Sequence, residues 1–502
     1  MAGINIIPLF VVIPLGAAFL ISLFGKFIRR FADIAAVVTS LSLLVCSFRV
    51  MMFLQNTPGK LLIYKIGGWQ PPFGICLVID GLSMFILFII SLIGFFVTVY
   101  SLAYMEKYTD KSKFFTLFSL MICGMNGAAI TGDLFNLFVF LEIASIASYA
   151  LVAFGTGHEE LEASFKYAIM GSVASCFIFM AIAFLYGFTS TLNMADMART
   201  LSYKQGNSFV PFVGVLFLMG FGLKSALIPF HAWLPDAHSS APAPVSAMLS
   251  GVLIKALGVY SLIRIFFNIL GATQGFLSAL MFLSVVSIII GGILSLSQWN
   301  LKRLMAYSSI GQIGYILLGI GLGTPLGIFG ALFHLLNHSV MKSLLFLTAG
   351  SIDYAGGGKD LRDMSGISKS MPFTAKVNLI ASMAVSGIPP FSGFFSKLII
   401  IVACIQKGYL GYGVCAVVGS ILTLSAFMKV QKFAFFGERK DGAKNIKEAP
   451  WLMRFSMAFL ALFCVIGGLM LLPSIRFFIS DAVQVVVKGT SYSSIILEAI
   501  SK

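Results

Sequence analysis

Glu142, Lys224, Lys255 and Lys397 carry charge where charge is costly. Glu142 lies in the middle of the apolar run from Leu134 to Phe154, and the three lysines each interrupt a run of Gly, Phe, Leu, Val and Ile. A charged group at the centre of a bilayer costs at least about 2.5–3.5 kcal/mol on insertion scales, so each of the four needs a physical reason. One reason is snorkelling, in which the stem stays in lipid and the amine reaches the headgroups. Lys166, near the start of its run, fits snorkelling as well as it fits a relay, whereas Lys224, Lys255 and Lys397 lie too deep for it. The other reason is proton exchange. Desolvation loosens an amine's hold on its proton, and a nearby carboxylate tightens it. A lysine whose carboxylate can approach or withdraw is a proton switch, with Glu142 and Lys224 the natural pair and Lys255 and Lys397 onward carriers. The competing reading of Glu142 is a static ion pair that ties two helices together.

His334, His338 and Lys342 follow at i, i+4 and i+8, which puts them on one helix face. Imidazoles titrate near neutrality and relay protons. The plainer alternative is hydrogen bonding between helices. A histidine pair at this spacing can bind metal, but it has neither a third ligand nor the glutamate of an HExxH motif, so no metal is expected. Ser308, Ser309, Gln312 and Tyr315 in the preceding run can line the same route through bound water. The primary relay candidates are thus Glu142, Lys224, Lys255 and Lys397, with Lys166, His334, His338 and Lys342 secondary.

The elements that must position these groups are membrane helices. Of 502 residues, 59% are hydrophobic and 11% charged, against about 25% charged in soluble domains. Runs of the roughly 20 apolar residues that span a bilayer recur from Ile4 to Leu472. The expected spans are 4–25, 33–54, 80–104, 113–131, 134–155, 163–188, 209–230, 242–270, 275–298, 303–323, 326–350, 372–404, 408–436 and 452–473. The first reads as a span and not as a removed signal peptide, because no small-residue cleavage site follows it. Pro229 after Lys224, and Pro389–Pro390 before Lys397, predict broken helices in the seventh and twelfth spans, the kind that build transport sites at corresponding places in two repeats.

Loops after odd-numbered spans hold 15 Lys and Arg, from Lys26, Arg29 and Arg30 to Arg439, Lys440, Lys444 and Lys447. The other side holds eight: Lys60, Lys65, Arg199, Lys204, Lys407, Arg476, Lys488 and Lys502. The positive-inside rule then makes the odd loops cytoplasmic and leaves both termini outside. This asymmetry accounts for the net charge of +15 without nucleic acid, for which no binding motif is present. The stretch 473–502 is too polar to span and can lie on the surface or dock on a neighbour. No loop is long enough to be a separate soluble domain. Seven scattered cysteines without a CxxC pair suggest neither a zinc site nor an iron–sulfur cluster. No nucleotide-binding glycine loop or flavin motif occurs, so no cofactor and no redox catalysis by this chain are expected.

Five stretches give the sequence a family likeness. They are Gly74-Ile75 through Asp80-Gly81-Leu82-Ser83; Gly132-Asp133-Leu134-Phe135-Asn136 through Glu142; Lys224-Ser225-Ala226-Leu227-Ile228-Pro229-Phe230-His231-Ala232-Trp233-Leu234-Pro235-Asp236-Ala237-His238; Lys302-Arg303 through Gln312; and Ser386-Gly387-Ile388-Pro389-Pro390-Phe391. In these the chain resembles the antiporter-like subunits shared by Mrp-type cation/proton antiporters, respiratory complex I and membrane-bound hydrogenases. The resemblance implies an all-α polytopic fold of about 14 helices, with helices 4–8 and 9–13 as inverted five-helix repeats. The single domain would then divide into 1–112, a first repeat 113–270, a second repeat 275–436, and a last helix and tail 450–502. It implies that Glu142 and Lys224 are the paired acid and base, Lys255 the middle carrier and Lys397 the terminal one. Lysine at 397, where some complex I members carry glutamate, makes the Mrp D-type branch and its hydrogenase relatives the nearer match. The chain's end soon after the last span argues against the larger A-type.

Three functions remain open on sequence: a proton-translocating subunit of an Mrp-type Na⁺/H⁺ antiporter, an ion-moving subunit powered by an attached hydrogenase or dehydrogenase, and a stand-alone transporter. The resemblance implies homologous antiporter-like subunits and small membrane subunits as partners, in a prokaryotic cell (inner) membrane. A protonated amine repels Na⁺, which favours protons as the ion moved beside the buried lysines.

Overall fold

The computed structural model describes residues 4–28, 30–56, 61–108, 110–203, 209–437 and 446–501. Arg29, Lys60, Lys204, Arg439, Lys440, Lys444 and Lys502, which entered the loop charges above, lie outside the described residues. The helices are α1 Leu9–Phe24, α2 Phe31–Gln55, α3 Gly81–Tyr104, α4 Lys111–Ile130, α5 Leu134–Val152, α6 His158–Thr189, α7 Met194–Tyr203, α8 Phe209–Lys224 and α9 Trp233–Ser240. They continue as α10 Ala243–Ile269, α11 Gln274–Ser297, α12 Leu301–Gly321, α13 Pro325–Tyr354, α14 Pro372–Ser386, α15 Ser392–Gln406, α16 Leu410–Phe435, α17 Trp451–Leu471, α18 Pro473–Val487 and α19 Tyr492–Ser501. Among the described residues, ten helices are long and apolar enough to cross a membrane, and three shorter apolar ones, α1, α8 and α15, accompany them. Each expected span contains helix, with α14 and α15 in the twelfth and residues 225–230 of the seventh lying outside any helix.

Polar residues just before the apolar runs start several helices. Asp80, Asp133, Asn300 and Thr324 accept hydrogen bonds from backbone N–H groups in the first turns of α3, α5, α12 and α13 at 2.8, 2.8, 3.1 and 3.2 Å. These groups otherwise lack a partner within the helix. Within the bundle α13 is central: it packs on α12, α15, α14, α10, α17, α18 and α3, and its residues from Gly327 to Ile352 are all buried. Close helix contacts rest on small residues, as is general where lipid supplies no drive for helices to associate. At Gly124, for example, a Cβ would come within 2.5 Å of the Ala144 backbone in α5.

The structure gathers the loops after the third, seventh, ninth and eleventh spans at one end of the bundle. There Lys107 bonds the Tyr354 carbonyl, Lys302 lies 3.9 Å from Asp353, and Arg303 pairs with Asp236 at 3.0 Å. At the other end the connection before α3 forms a small antiparallel hairpin that the all-helical expectation did not include: Leu62–Lys65 paired with Cys76–Ile79. Its Cys76 carbonyl accepts from Gly132 N at 2.9 Å, which ties the hairpin to the start of α5. The tail, expected on the surface or on a neighbour, has contacts within the chain. Its helices α18 and α19 fold back on this same chain, against α3 and α7.

Packing this close makes a prediction with a built-in control. Gly124→Ala should lower the yield of the protein in membranes, since overpacking costs about 1–3 kcal/mol and outweighs the helix propensity gained. Gly187→Ala, where nothing lies within 4 Å, should leave the yield unchanged or raise it, and the two are compared by immunoblot of membrane fractions.

Candidate functional site

Glu142 and Lys224 meet across two helices. Lys224 is the last residue of α8, and its amine donates to Glu142 Oε1 at 3.2 Å and to Ser145 Oγ at 2.8 Å. Ser145 lies one turn beyond Glu142 on α5, and Ser175 of α6 donates to the same carboxylate oxygen. The lysine is buried, while the Glu142 side chain keeps 27% of its surface open. Beyond Lys224 the helix stops. Ser225 Oγ turns back to the Phe221 carbonyl, Ala226 takes a left-handed φ of 54°, and the chain re-enters helix only at Trp233.

The helix carrying Lys255 packs directly on this break, since a Cβ at Gly258 would come within 2.6 Å of Ser225. Along α10 the backbone is π-wound over Leu249–Tyr260 and again over Arg264–Ile269. The Lys255 amine, 1% exposed, donates to the carbonyls of Ser250 and Gly251 in its own helix, the latter at 2.9 Å. Ser250 Oγ lies 2.8 Å from Ser309 Oγ on α12, Ser309 donates to the Met305 carbonyl at 3.0 Å, and Lys342 of α13 donates to that same carbonyl at 2.9 Å and to Ser308. The Ser250 carbonyl, the hydroxyls of Ser250 and Ser309, and the Met305 carbonyl therefore lead from Lys255 to Lys342.

From Lys342 the chain runs along one face of α13. The rings of His338 and His334 stack with centroids 6.0 Å apart, and His334 Nδ1 lies 2.9 Å from Ser396 Oγ. Both ring nitrogens of His338 and Nε2 of His334 have no partner among the described residues. Ser396 adjoins Lys397 in α15. The Lys397 amine donates to the Val385 carbonyl at 2.9 Å and sits 4.7 Å above the Tyr315 ring. Val385 belongs to the last turn of α14, where helical carbonyls have no intrahelical donor and the helix dipole favours a cation. Gly387 ends that turn at φ +82°, and a Cβ there would come within 3.0 Å of Lys397 Cδ, so glycine serves both the turn and the amine.

Seven of the eight candidates thus fall into two groups, the bonded pair Glu142–Lys224 and the set Lys255, Lys342, His338, His334 and Lys397. In that set hydroxyls and a shared carbonyl link Lys255 to Lys342, the two imidazoles stack, and Ser396 joins His334 to the turn of Lys397. Lys166 lies apart, half exposed, bonded to Glu162 at 2.7 Å and Asp236 at 3.1 Å in the ion cluster at the bundle end. Among the described residues Lys255, Lys342 and Lys397 have no carboxylate within 4.0 Å, and no group of three His, Cys, Asp or Glu could hold a metal ion. Sequence reading missed Ser145, Ser175 and Ser250, which had a signal only in lying within a turn or two of a flagged charge or facing it from a neighbouring run. It also missed the buried pair Asp80–Arg264, whose atoms approach to 2.8 Å, and the buried His238, stacked on Phe346 at 4.7 Å.

Fold and site together define a polytopic helical membrane protein with an ionisable chain through its interior. A sequence model described as "NADH:quinone oxidoreductase/Mrp antiporter, TM" matches residues 131–423, and one described as "NADH-Ubiquinone oxidoreductase (complex I), chain 5 N-terminus" matches residues 65–115. The chain belongs to this family of NADH:quinone oxidoreductase and Mrp antiporter membrane subunits. It is 37% identical over 453 residues to the N-type NADH-quinone oxidoreductase subunit of Desulforudis audaxviator, covering 89% of each chain. It is 34% identical over 440 residues to the D-type Na(+)/H(+) antiporter subunit of Alkalihalophilus pseudofirmus, covering 87% of this chain and 88% of that one. Its fold matches a chain of the Mrp complex from a Dietzia species with a TM-score of 0.89 at 26% identity over all of both chains. It also matches a chain of an archaeal membrane-bound sulfane sulfur reductase, with a TM-score of 0.88 at 29% identity over 97% of this chain and 99% of that one.

The Glu142–Lys224 pair can be tested as switch or tie. Glu142→Gln alone should cut transport steeply, and a static tie broken on one side should cost about 3–5 kcal/mol and depress assembly first. Glu142→Gln with Lys224→Met removes both charges, and the double variant should assemble and stay inactive in a pH-gradient assay. Recovered transport would make the pair structural only.

Proposed function

We propose that this chain moves protons across a membrane as one subunit of a multi-subunit Mrp-type Na⁺/H⁺ antiporter. The observation that carries the proposal is the row of buried amines that have no carboxylate within 4.0 Å among the described residues, each held by backbone carbonyls, with hydroxyls and two stacked imidazoles between them. A permanently charged lysine in such a place is costly, and a neutral one can accept a proton. A proton entering on Lys255 passes by way of Lys342, His338 and His334 to Lys397, while Glu142 and Lys224 set the charge at the start of the row. The same amines disfavour Na⁺ here, so Na⁺ crosses in a partner. His334 and His338 act as relays and not as metal ligands. Lys166 belongs to the ion cluster at the bundle end and not to the row.

The reading includes about 14 membrane crossings, inverted repeats 113–270 and 275–436 between flanking parts 1–112 and 450–502, and a prokaryotic cell membrane with both termini outside. Partners are homologous antiporter-like subunits and small membrane subunits. A second reading has its own support in the 37% identity to an NADH-quinone oxidoreductase subunit and the likeness to a sulfur reductase chain. In it a hydrogenase or dehydrogenase module drives the same ion path, and neighbouring genes for redox subunits would favour it.

Lys255→Ala should abolish ΔpH-dependent transport in proteoliposomes of the whole complex while leaving assembly intact. Lys397→Arg should fail as fully as Lys397→Ala, because a guanidinium keeps its proton. Transport retained in Lys255→Ala would overturn the relay.

A further inference from the structure

We infer that Asp80, Arg264 and Tyr492 form a clamp that sets the rotation of α10 and so positions Lys255, with the C-terminal segment as the clamp's third arm. The inference rests on the reading of Lys255 as a proton carrier. Arg264 donates to Asp80 through two nitrogens, at 2.8 and 3.0 Å, and to Ser83 Oγ at 3.0 Å. The Tyr492 hydroxyl donates to Asp80 Oδ2 at 2.7 Å from a site more than 400 residues away in sequence. Tyr260, one turn before Arg264, bonds the Ala129 carbonyl at 2.6 Å, and its oxygen accepts from Arg264 at 3.2 Å. Asp80, Ser83, Arg264 and Tyr492 border a cavity of about 30 Å³, which Thr131 and Asn193 help to line.

The pair does not carry protons itself. Arg264 cannot release one, and every oxygen of Asp80 is held by a donor. What it does is fasten one end of α10 on three sides. That matters because α10 is π-wound on both sides of the short α-helical turn Ser261–Ile263. A helix that can exchange i→i+5 for i→i+4 bonding changes the number of residues per turn, and every side chain beyond the change rotates. Lys255 takes its partners from carbonyls of this same segment, so its setting depends on the winding. An anchored Arg264 leaves only one winding compatible with both ends.

The tail is built to stay in the clamp. Asn268 Nδ2 donates to the Val485 and Gly489 carbonyls at 3.0 and 3.1 Å. Gly489 takes a left-handed φ of +55° to turn the chain between α18 and α19. At the first residue of α3, Gly81, a Cβ would come within 2.6 Å of the Asp481 backbone, so the tail rests directly on the residue after Asp80.

The test uses everted vesicles carrying the complete complex, read for yield, transport rate and the pH profile of transport. Asp80→Leu with Arg264→Met replaces the pair by apolar groups, a change that buried pairs often tolerate. The double variant should assemble, lose about tenfold or more in rate as a misplaced group does, and show a pH profile displaced by about one unit. Wild-type rate and profile in that variant would overturn the clamp. If it fails to assemble, Tyr492→Phe decides, since it removes one hydroxyl: slower transport with a displaced profile at normal yield supports the clamp, and unchanged transport overturns it. Val486→Ala loosens the tail's packing without touching the clamp, and should lower yield with the profile unmoved; an equal displacement there would make the effect structural. Transport surviving Lys255→Ala would instead sink the relay reading and not the clamp.

Discussion

An amine inside a bilayer without a counter-ion must be held by something, and in this chain it is held by backbone carbonyls. In a regular helix each carbonyl is already bonded within the helix and has only its second lone pair to offer, as Met305 of α12 does to Lys342. Lys224, Lys255 and Lys397 sit instead where helices depart from regularity. α14 ends at Gly387 and offers the Val385 carbonyl to Lys397. α10 is π-wound and offers Ser250 and Gly251 to Lys255. α8 ends on Lys224, which has the Glu142 carboxylate as its partner. Broken or rewound backbone at membrane depth survives only where protein surrounds it, and that requirement shapes the rest of the bundle.

The long helix α13 meets the requirement from the centre. It places His334, His338 and Lys342 on one face and packs on both halves of the broken twelfth span as well as on α10. Small residues keep these neighbours close. The ion clusters at one end and the hairpin and tail at the other close the bundle without entering its middle. Polar groups thus concentrate in three layers: two at the ends, where they bind loops together, and one at mid-depth, where the amines stand in a row.

Much of the middle layer was legible in the residues. A glutamate and three lysines deep in apolar runs have few physical explanations, and the i, i+4, i+8 spacing of His334, His338 and Lys342 puts them on one face in any helix. Prolines marked both breaks, since a proline removes a backbone donor. What carried no mark was the identity of the holders. A carbonyl looks the same at every position, so Met305 and Val385 could not be singled out. Arg264 stands near the end of an apolar run, where an arginine reads as a snorkelling side chain, and its partner Asp80 reads as the helix cap that it also is. The tail was too polar to span, which said nothing of where it would dock. Lys166 was ambiguous on sequence, and its ion pairs with Glu162 and Asp236 set it in the surface cluster.

The family embraces antiporters and redox-driven complexes, and the relay proposed for the row of amines is compatible with both, because either energy source needs groups that change protonation inside the membrane. The most direct measurement is of that change. In the assembled complex with ¹⁵N-labelled lysine, the side-chain resonances of Lys255 and Lys397, assigned by their loss in Lys255→Met and Lys397→Met, are followed by solid-state NMR across the pH range in which transport operates. Movement of both resonances between ammonium and amine positions within that range is the predicted result. Resonances that remain those of ammonium throughout would contradict it.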